Sequence, residues 1–121
     1  MLIKDFYHID GHTAESDGSH TYTVSLNAQH DVYKGHFPER PITPGVCNIQ
    51  MIKECAEDAM GKRLTFTAID RCRLTAMVTP GGSPVLNIKV QPDAADPSKV
   101  SATIYYGETT YMTLSGTVAE K

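Results

Sequence analysis

The sequence predicts an α+β domain in which a curved antiparallel sheet of five to six strands wraps around one long central helix. One segment repeats its apolar residues at three- and four-residue spacing, as a helix does, and several others alternate between apolar and polar residues, as strands do. A single helix covers only one face of so large a sheet, so a sheet curved around the helix is the economical arrangement. The other face and the strand edges are then left for a partner subunit.

The first two strands are predicted to form a hairpin. Residues 6–15 are weakly apolar, Asp17 and Gly18 make a strong turn signal, and residues 19–26 then alternate. The predicted inward face of the second strand carries Tyr22, Val24 and Leu26. An irregular stretch follows, up to about Thr43.

The helix is predicted to begin at Pro44 and Gly45 and to run for about 15 residues to a stop at Gly61. Its apolar positions are Val46, Ile49, Ile52, Ala56 and Ala59. Charged residues occupy the remaining faces, so we expect one side of the helix to be polar.

The rest of the chain is predicted to be strand. Residues 64–78 make a long strand that could bend near Asp70, and a turn rich in proline and glycine separates it from residues 85–90. The predicted inward faces of the last three strands are Leu86, Ile88 and Val90; then Val100, Ala102, Ile104 and Tyr106; then Met112, Leu114, Gly116 and Val118.

Composition restricts the class of protein. The 121 residues are enough for one domain, 1–121, with an ordinary apolar content of 40%. No stretch approaches the roughly 20 apolar residues that span a bilayer. A net charge of −3 makes nucleic acid and anionic membranes unexpected as partners. We therefore expect a cytoplasmic protein, with Cys47, Cys55 and Cys72 reduced and buried.

The informative motif occupies residues 35–46 and runs directly into the helix. Three prolines stiffen this loop around His36, and the free amides of Gly45 and Val46 at the helix N-terminus could polarise a carbonyl oxygen. A histidine base beside such a helix end fits proton abstraction next to a thioester carbonyl. The residue types alone fit a rigid proline-rich connector with an incidental histidine equally well.

The pattern Gly-His-Phe-Pro-x-x-Pro-Ile-x-Pro-Gly-Val at residues 35–46 resembles the signature of the 3-hydroxyacyl-[acyl-carrier-protein] dehydratases of type II fatty acid synthesis, the FabZ and FabA type. The likeness extends over roughly residues 21–118 and includes an aromatic residue, Tyr33, before the Gly-His pair. The resemblance implies the hot-dog fold and dehydration of 3-hydroxyacyl thioesters to trans-2-enoyl thioesters, without a cofactor, in fatty acid or related lipid or polyene synthesis.

The resemblance also implies roles for individual residues. His36 matches the histidine that abstracts the α-proton, and Gly45 would polarise the thioester carbonyl. The helix acid of the family, which comes from the other subunit, falls at Gln50. Phe37, Val46 and Ile49 are candidate walls of the acyl tunnel. Lys34 and Arg40 are candidates for docking an acidic acyl carrier protein, with coenzyme A as the other possible carrier, and a homodimer, a higher homo-oligomer or a heterodimer with a related dehydratase is expected.

Gln50 is the main departure from the family pattern, because an amide cannot release a proton near neutral pH. Dehydration could persist with His36 acting alone or with a water held by Gln50. Glu54, one helical turn further on, could stand in, although we expect it to be a solvated helix charge. The chain could instead be an acyl thioesterase or a catalytically silent subunit that pairs with an active dehydratase.

No metal site is expected. His8, His12, His20 and Asp10 lie close together in the sequence, but their spacing meets no pattern of a structural zinc site.

Overall fold

The computed structural model describes residues 7–27, 45–76 and 85–120, and it contains one sheet and one helix in these residues. The elements in chain order are β1 (Tyr7–Ala14), β2 (His20–Leu26), α1 (Gly45–Met60), β3 (Leu64–Leu74), β4 (Val85–Pro92), β5 (Lys99–Tyr106) and β6 (Thr109–Glu120). The strands pair antiparallel in the order β1-β2-β4-β5-β6-β3. The six strands and the single helix agree with the predicted architecture.

The predicted hairpin of β1 and β2 is confirmed. Gly18 has a φ of 88°, which glycine adopts without the cost that a side chain imposes. Asp17 Oδ1 accepts hydrogen bonds from the backbone amide of Ser19 at 3.0 Å and from its hydroxyl at 2.6 Å, and these bonds hold the turn.

Helix α1 also begins and ends as predicted. Gly61 has a φ of 67°, and the amides of Gly61 and Lys62 both donate to the carbonyl oxygen of Glu57, at 2.9 and 3.2 Å. The Glu57 carboxylate accepts the Leu64 amide at 2.9 Å. The end of the helix is therefore joined directly to the start of β3.

The core lies between α1 and the inner face of the sheet. Its main cluster takes four residues from the helix and nine from β2, β4, β5 and β6: Cys47, Met51, Ile52, Cys55, Tyr22, Val24, Leu86, Ile88, Val90, Ala102, Ile104, Met112 and Leu114. A smaller cluster at the far end of the helix contains Ala56, Leu64, Val100 and Val118. The inward faces predicted for β2, β4 and β6 are confirmed by this burial, with Leu26 partly buried.

One predicted inward residue is wrong. Tyr106 is 53% exposed, although Val100, Ala102 and Ile104 before it are buried. The pairing of β5 with β6 shifts register between Ile104 and Tyr105, with Tyr111 of β6 as the extra residue, and Tyr106 lies beyond this shift as the last residue of β5, beside the turn at Gly107.

Strand β3 lies at one edge of the sheet and is shorter than predicted among the described residues, since it ends at Leu74. Its pairing with β6 shifts register twice, and the second shift, between Ile69 and Arg71, lies at the predicted bend. Ile69 and Leu74 are 44% and 49% exposed. Among the described residues, no strand pairs with the outer edge of β3, which presents exposed apolar side chains there. Within the described residues, no helix is long and apolar enough to cross a membrane.

Candidate active site

Helix α1 carries four of the residues predicted for the site. Gly45 is its first residue, Val46 the second, and Ile49 and Gln50 complete the first turn and a half. Ile49 packs, partly buried, against the main core cluster. The other predicted site residues lie outside the described residues: His36, Phe37, Lys34 and Arg40.

The buried side of α1 is rotated slightly from the predicted stripe. The buried positions are Cys47, Asn48, Met51, Ile52, Cys55 and Ala56, while Ile49 and Ala59 are partly buried. Gln50 and Glu54 therefore lie at the margin of the core, half-buried, instead of facing open solvent. At this margin, the polar side chains of Gln50 and Glu54 are close enough to the surface to contact a ligand as well as other side chains of the protein.

Glu54 joins Gln50 to the first strand. Gln50 Nε2 donates to Glu54 Oε2 at 2.8 Å, and the Tyr7 hydroxyl donates to Glu54 Oε1 at 2.7 Å. The expectation that Glu54 is a solvated helix charge is wrong, because it is half-buried and each of its carboxylate oxygens accepts a hydrogen bond. Burial, and secondly the hydrogen bond to Glu54, raise the pKa of the Tyr7 hydroxyl well above its ordinary value, so Tyr7 remains a donor.

Sequence reasoning missed Tyr7. It lies outside the segment that resembles the dehydratases, and its contact with Glu54 spans 47 positions. The local signal was its place in a weakly apolar predicted strand, which does not identify a hydrogen-bond partner.

A second tyrosine makes the same kind of contact further along the helix. Tyr22, fully buried on β2, donates its hydroxyl hydrogen to Asp58 Oδ2 at 2.7 Å. Burial is the first cause of the raised pKa of Tyr22, and this hydrogen bond is the second. Two tyrosine–carboxylate bonds thus connect α1 to the adjacent strands β1 and β2.

Asn48 is a further residue that sequence reasoning missed. It is fully buried, and neither its Nδ2 nor its Oδ1 has a hydrogen-bond partner in the structure of the described residues. A buried amide without partners is uncommon and costly. Its only sequence signal was a polar residue between Cys47 and Ile49 in an otherwise apolar stretch.

A β-bulge separates the histidines near the N-terminus. The pairing of β1 with β2 shifts between Ile9 and Gly11, so His12 lies opposite Tyr22 on the face that contacts the helix. His12 Nε2 lies 2.8 Å from His20 Nδ1, and its ring stacks on that of Tyr22 with centroids 4.3 Å apart. His8, on the other face, pairs with Asp10 at 2.9 Å.

The described part of the chain contains no group of three or more histidine, cysteine, aspartate or glutamate side chains that could hold a metal ion.

One of the three cysteines is not buried as predicted. Cys47 and Cys55 are buried, and burial raises the pKa of both thiols, that of Cys55 to about 12. Cys72 is exposed on the edge strand β3, which corrects its predicted burial.

Comparison with known proteins identifies the family. The model of the ApeI-like family, described as ApeI dehydratase, matches residues 12–113. The 3-hydroxyacyl-[acyl-carrier-protein] dehydratase FabZ of Macrococcus caseolyticus is 30% identical over 111 residues, covering 85% of this chain and 77% of that protein. The FabZ of a Thermoanaerobacter species is 34% identical over 73 residues, covering 54% of this chain and 51% of its own length.

Two solved structures share the fold of this chain. The dehydratase heterocomplex ApeI:P from Xenorhabdus doucetiae matches with a TM-score of 0.78 at 16% identity, covering 93% of this chain and 97% of that one. An uncharacterised protein from Erwinia carotovora matches with a TM-score of 0.67, also at 16% identity, covering 94% and 92%. These matches confirm the hot-dog fold. By the extent of the family match and the identity to the Macrococcus dehydratase, the chain belongs to the ApeI-like dehydratase family of hot-dog proteins.

Proposed function

We propose that this protein dehydrates 3-hydroxyacyl thioesters, carried on acyl carrier protein, to trans-2-enoyl thioesters in fatty acid or related synthesis. Membership of the ApeI-like dehydratase family carries the proposal. The histidine-containing motif at residues 35–46, which ends on the first residues of α1, supports it. Coenzyme A is the alternative carrier, and the cytoplasm is the expected compartment.

The proposed chemistry needs no cofactor. The His36 imidazole takes the proton from the carbon next to the thioester carbonyl, and the Gly45 amide stabilises the negative charge that develops on the carbonyl oxygen. The bond between C3 and its hydroxyl then breaks. The imidazolium returns the same proton to the departing hydroxide, which leaves as water, so His36 serves as base and then as acid.

Gln50 takes a holding role in this proposal. Counting along the motif puts it at the helix position of the family's acid, and its half-buried place at the margin of the core supports a role there. Its amide can accept a hydrogen bond from the 3-hydroxyl group or from the departing water, but it cannot protonate them. Since acid–base assistance is worth ~10²–10⁴-fold, the loss of one acidic partner predicts slower turnover than in an enzyme that has both groups.

The remaining site assignments belong to the same proposal. Ile49 packs against the core beside Gln50, which supports a place in the acyl tunnel together with Phe37 and Val46. Lys34 and Arg40 would contact the acidic carrier protein. The exposed apolar edge of β3 supports association with a second subunit, either a copy of this chain or a related dehydratase.

The first test is hydration of a short-chain trans-2-enoyl thioester by the purified protein, followed by loss of the conjugated double bond. A free-thiol reagent in a parallel reaction detects hydrolysis, which would instead indicate a thioesterase. The proposal expects loss of the double bond without thiol release. His36→Ala should abolish this loss, and Gln50→Glu should increase its rate; an unchanged rate in His36→Ala would exclude His36 as the base.

A second candidate function is that of a non-catalytic subunit. Gln50 in place of the acid favours it, and so does the likeness to a chain from a dehydratase heterocomplex. This candidate predicts no turnover by the purified chain alone and co-purification with an active dehydratase that carries the missing acid.

A further inference from the structure

The bonds around Glu54 determine how the Gln50 side chain is oriented. A carboxylate only accepts hydrogen bonds, so the amide must direct its NH₂ group toward Glu54, as the distance of 2.8 Å between Nε2 and Oε2 shows. The carbonyl oxygen Oε1 of Gln50 is then directed away from Glu54. Within the described residues, the Gln50 side chain makes no other hydrogen bond, so Oε1 is left as an acceptor for a ligand.

Tyr7 holds Glu54 from the other side. Its hydroxyl binds Oε1 of Glu54 at 2.7 Å, so the two carboxylate oxygens are engaged by donors from two different elements, β1 and α1. Glu54 is therefore better suited to orient its neighbour than to supply a proton, which argues against its use as the missing acid.

We propose that Glu54 is a positioning residue that turns the Gln50 amide so that Gln50 Oε1 accepts the 3-hydroxyl group of a 3-hydroxyacyl thioester. The inference rests on the substrate class of the proposed function. The hydrogen bond from Nε2 to a carboxylate also polarises the amide and makes Oε1 a stronger acceptor. The chain would thus recognise the hydroxyl group with a neutral side chain where the family uses an acid.

The test compares the binding of 3-hydroxybutyryl-CoA and butyryl-CoA, which differ only in the 3-hydroxyl group, by calorimetry. The native protein should prefer the hydroxylated ligand by about fivefold, the value of one net hydrogen bond. In Glu54→Gln, the Gln50 amide can flip, which exchanges the positions of its NH₂ group and its carbonyl oxygen. This variant should therefore reduce the preference to less than twofold. Equal binding of the two ligands by the native protein, or a preference that Glu54→Gln leaves intact, would overturn the proposal.

Asp58→Asn is the matched control. Asp58 lies one turn further along α1 and accepts a tyrosine hydroxyl at the same distance of 2.7 Å, from Tyr22. Both variants weaken a tyrosine–carboxylate bond between helix and sheet, so thermal melting should show similar losses. Only Glu54→Gln should change the ligand preference. An equal change in Asp58→Asn would mean that the effect is a general loosening of the helix.

A double-mutant cycle separates positioning from any independent effect of Glu54. Gln50→Ala should remove the ligand preference, and adding Glu54→Gln to it should have no further effect, because Glu54 acts through Gln50. If the two changes instead multiply, the proposed coupling is wrong. The binding readout does not require turnover, so a protein that shows the preference but no hydration activity would refute the proposed enzymatic function and not this inference.

Discussion

Replacing Asn48 with leucine should stabilise the protein. Asn48 is fully buried on the core side of α1, and within the described structure neither polar atom of its amide has a hydrogen-bond partner. An unsatisfied buried polar group costs about 1–3 kcal/mol. Leucine branches at the same carbon and has the same number of side-chain heavy atoms, so Asn48→Leu removes this penalty while it keeps the space filled.

The expected gain is smaller than the whole penalty. Methyl groups are bulkier than an amide oxygen or nitrogen, so crowding in the packed core reduces the gain in the free energy of unfolding. We therefore expect the free energy of unfolding to rise by about 1 kcal/mol, equivalent to a melting temperature about 4 °C higher in a domain of this size. Asn48→Ala should gain less than Asn48→Leu, because the cavity it leaves beside the core residues of α1 offsets the removal of the unsatisfied amide.

Urea unfolding followed by circular dichroism measures this free energy, and an unchanged denaturant slope confirms that the same surface is exposed. A fall of about 1 kcal/mol or more in Asn48→Leu, at an unchanged slope, would refute the reasoning. It would mean that a group outside the described residues satisfies the amide in solution. Repeating the measurement with bound butyryl-CoA would show whether the ligand supplies that partner.

Gly116→Ala should lower the free energy of unfolding by about 1–3 kcal/mol, because the added Cβ would lie 2.6 Å from the carbonyl oxygen of Ala68. Gly11→Ala, whose added Cβ would meet no atom of the described residues within 4 Å, should not lower it, and equal losses in a urea titration would contradict the packing. The exposed Cys72 should react with a thiol reagent much faster than the buried Cys55, and Cys72→Ser should remove the fast phase. Burial raises the pKa of Cys55 from 9.0 to about 12, so the unfolded thiol ionises first and stability should fall as the pH rises above about 9. A free energy of unfolding that stays constant from about pH 8 to about pH 10.5 would contradict this pH dependence.

Much of the fold could be predicted because its signals are local. The turn at Gly18 and the helix end at Gly61 require positive φ angles, which glycine supplies at little cost. The inward faces of β4 and β6 follow from strict alternation, which persists while a strand keeps its register. The same rule was wrong at Tyr106, which lies beyond a shift of register at the end of β5, and such a shift leaves no mark in the alternation of residues.

The candidate site could be predicted only in part. Gln50 could be placed on α1 because the motif runs directly into this helix, and its role in the site stays a prediction. The role of Glu54 was missed, because its nearest signal was a charge on a helix and its second partner comes from β1. His36, Phe37, Lys34 and Arg40 lie outside the described residues, so their roles remain predictions.

The sequence by itself determined the order of the elements and the position of the helix, and it predicts a histidine loop before the helix that lies outside the described residues. These features depend on periodicity, turn residues and a motif, each of which acts over a few neighbouring residues. Only the tertiary structure decided that a bulge in β1 places His12 opposite Tyr22, and that Tyr7 and Gln50 both bind Glu54. The physical reason is that hydrogen bonds between side chains depend on which elements pack together, and residues 47 positions apart meet only when the sheet closes on the helix.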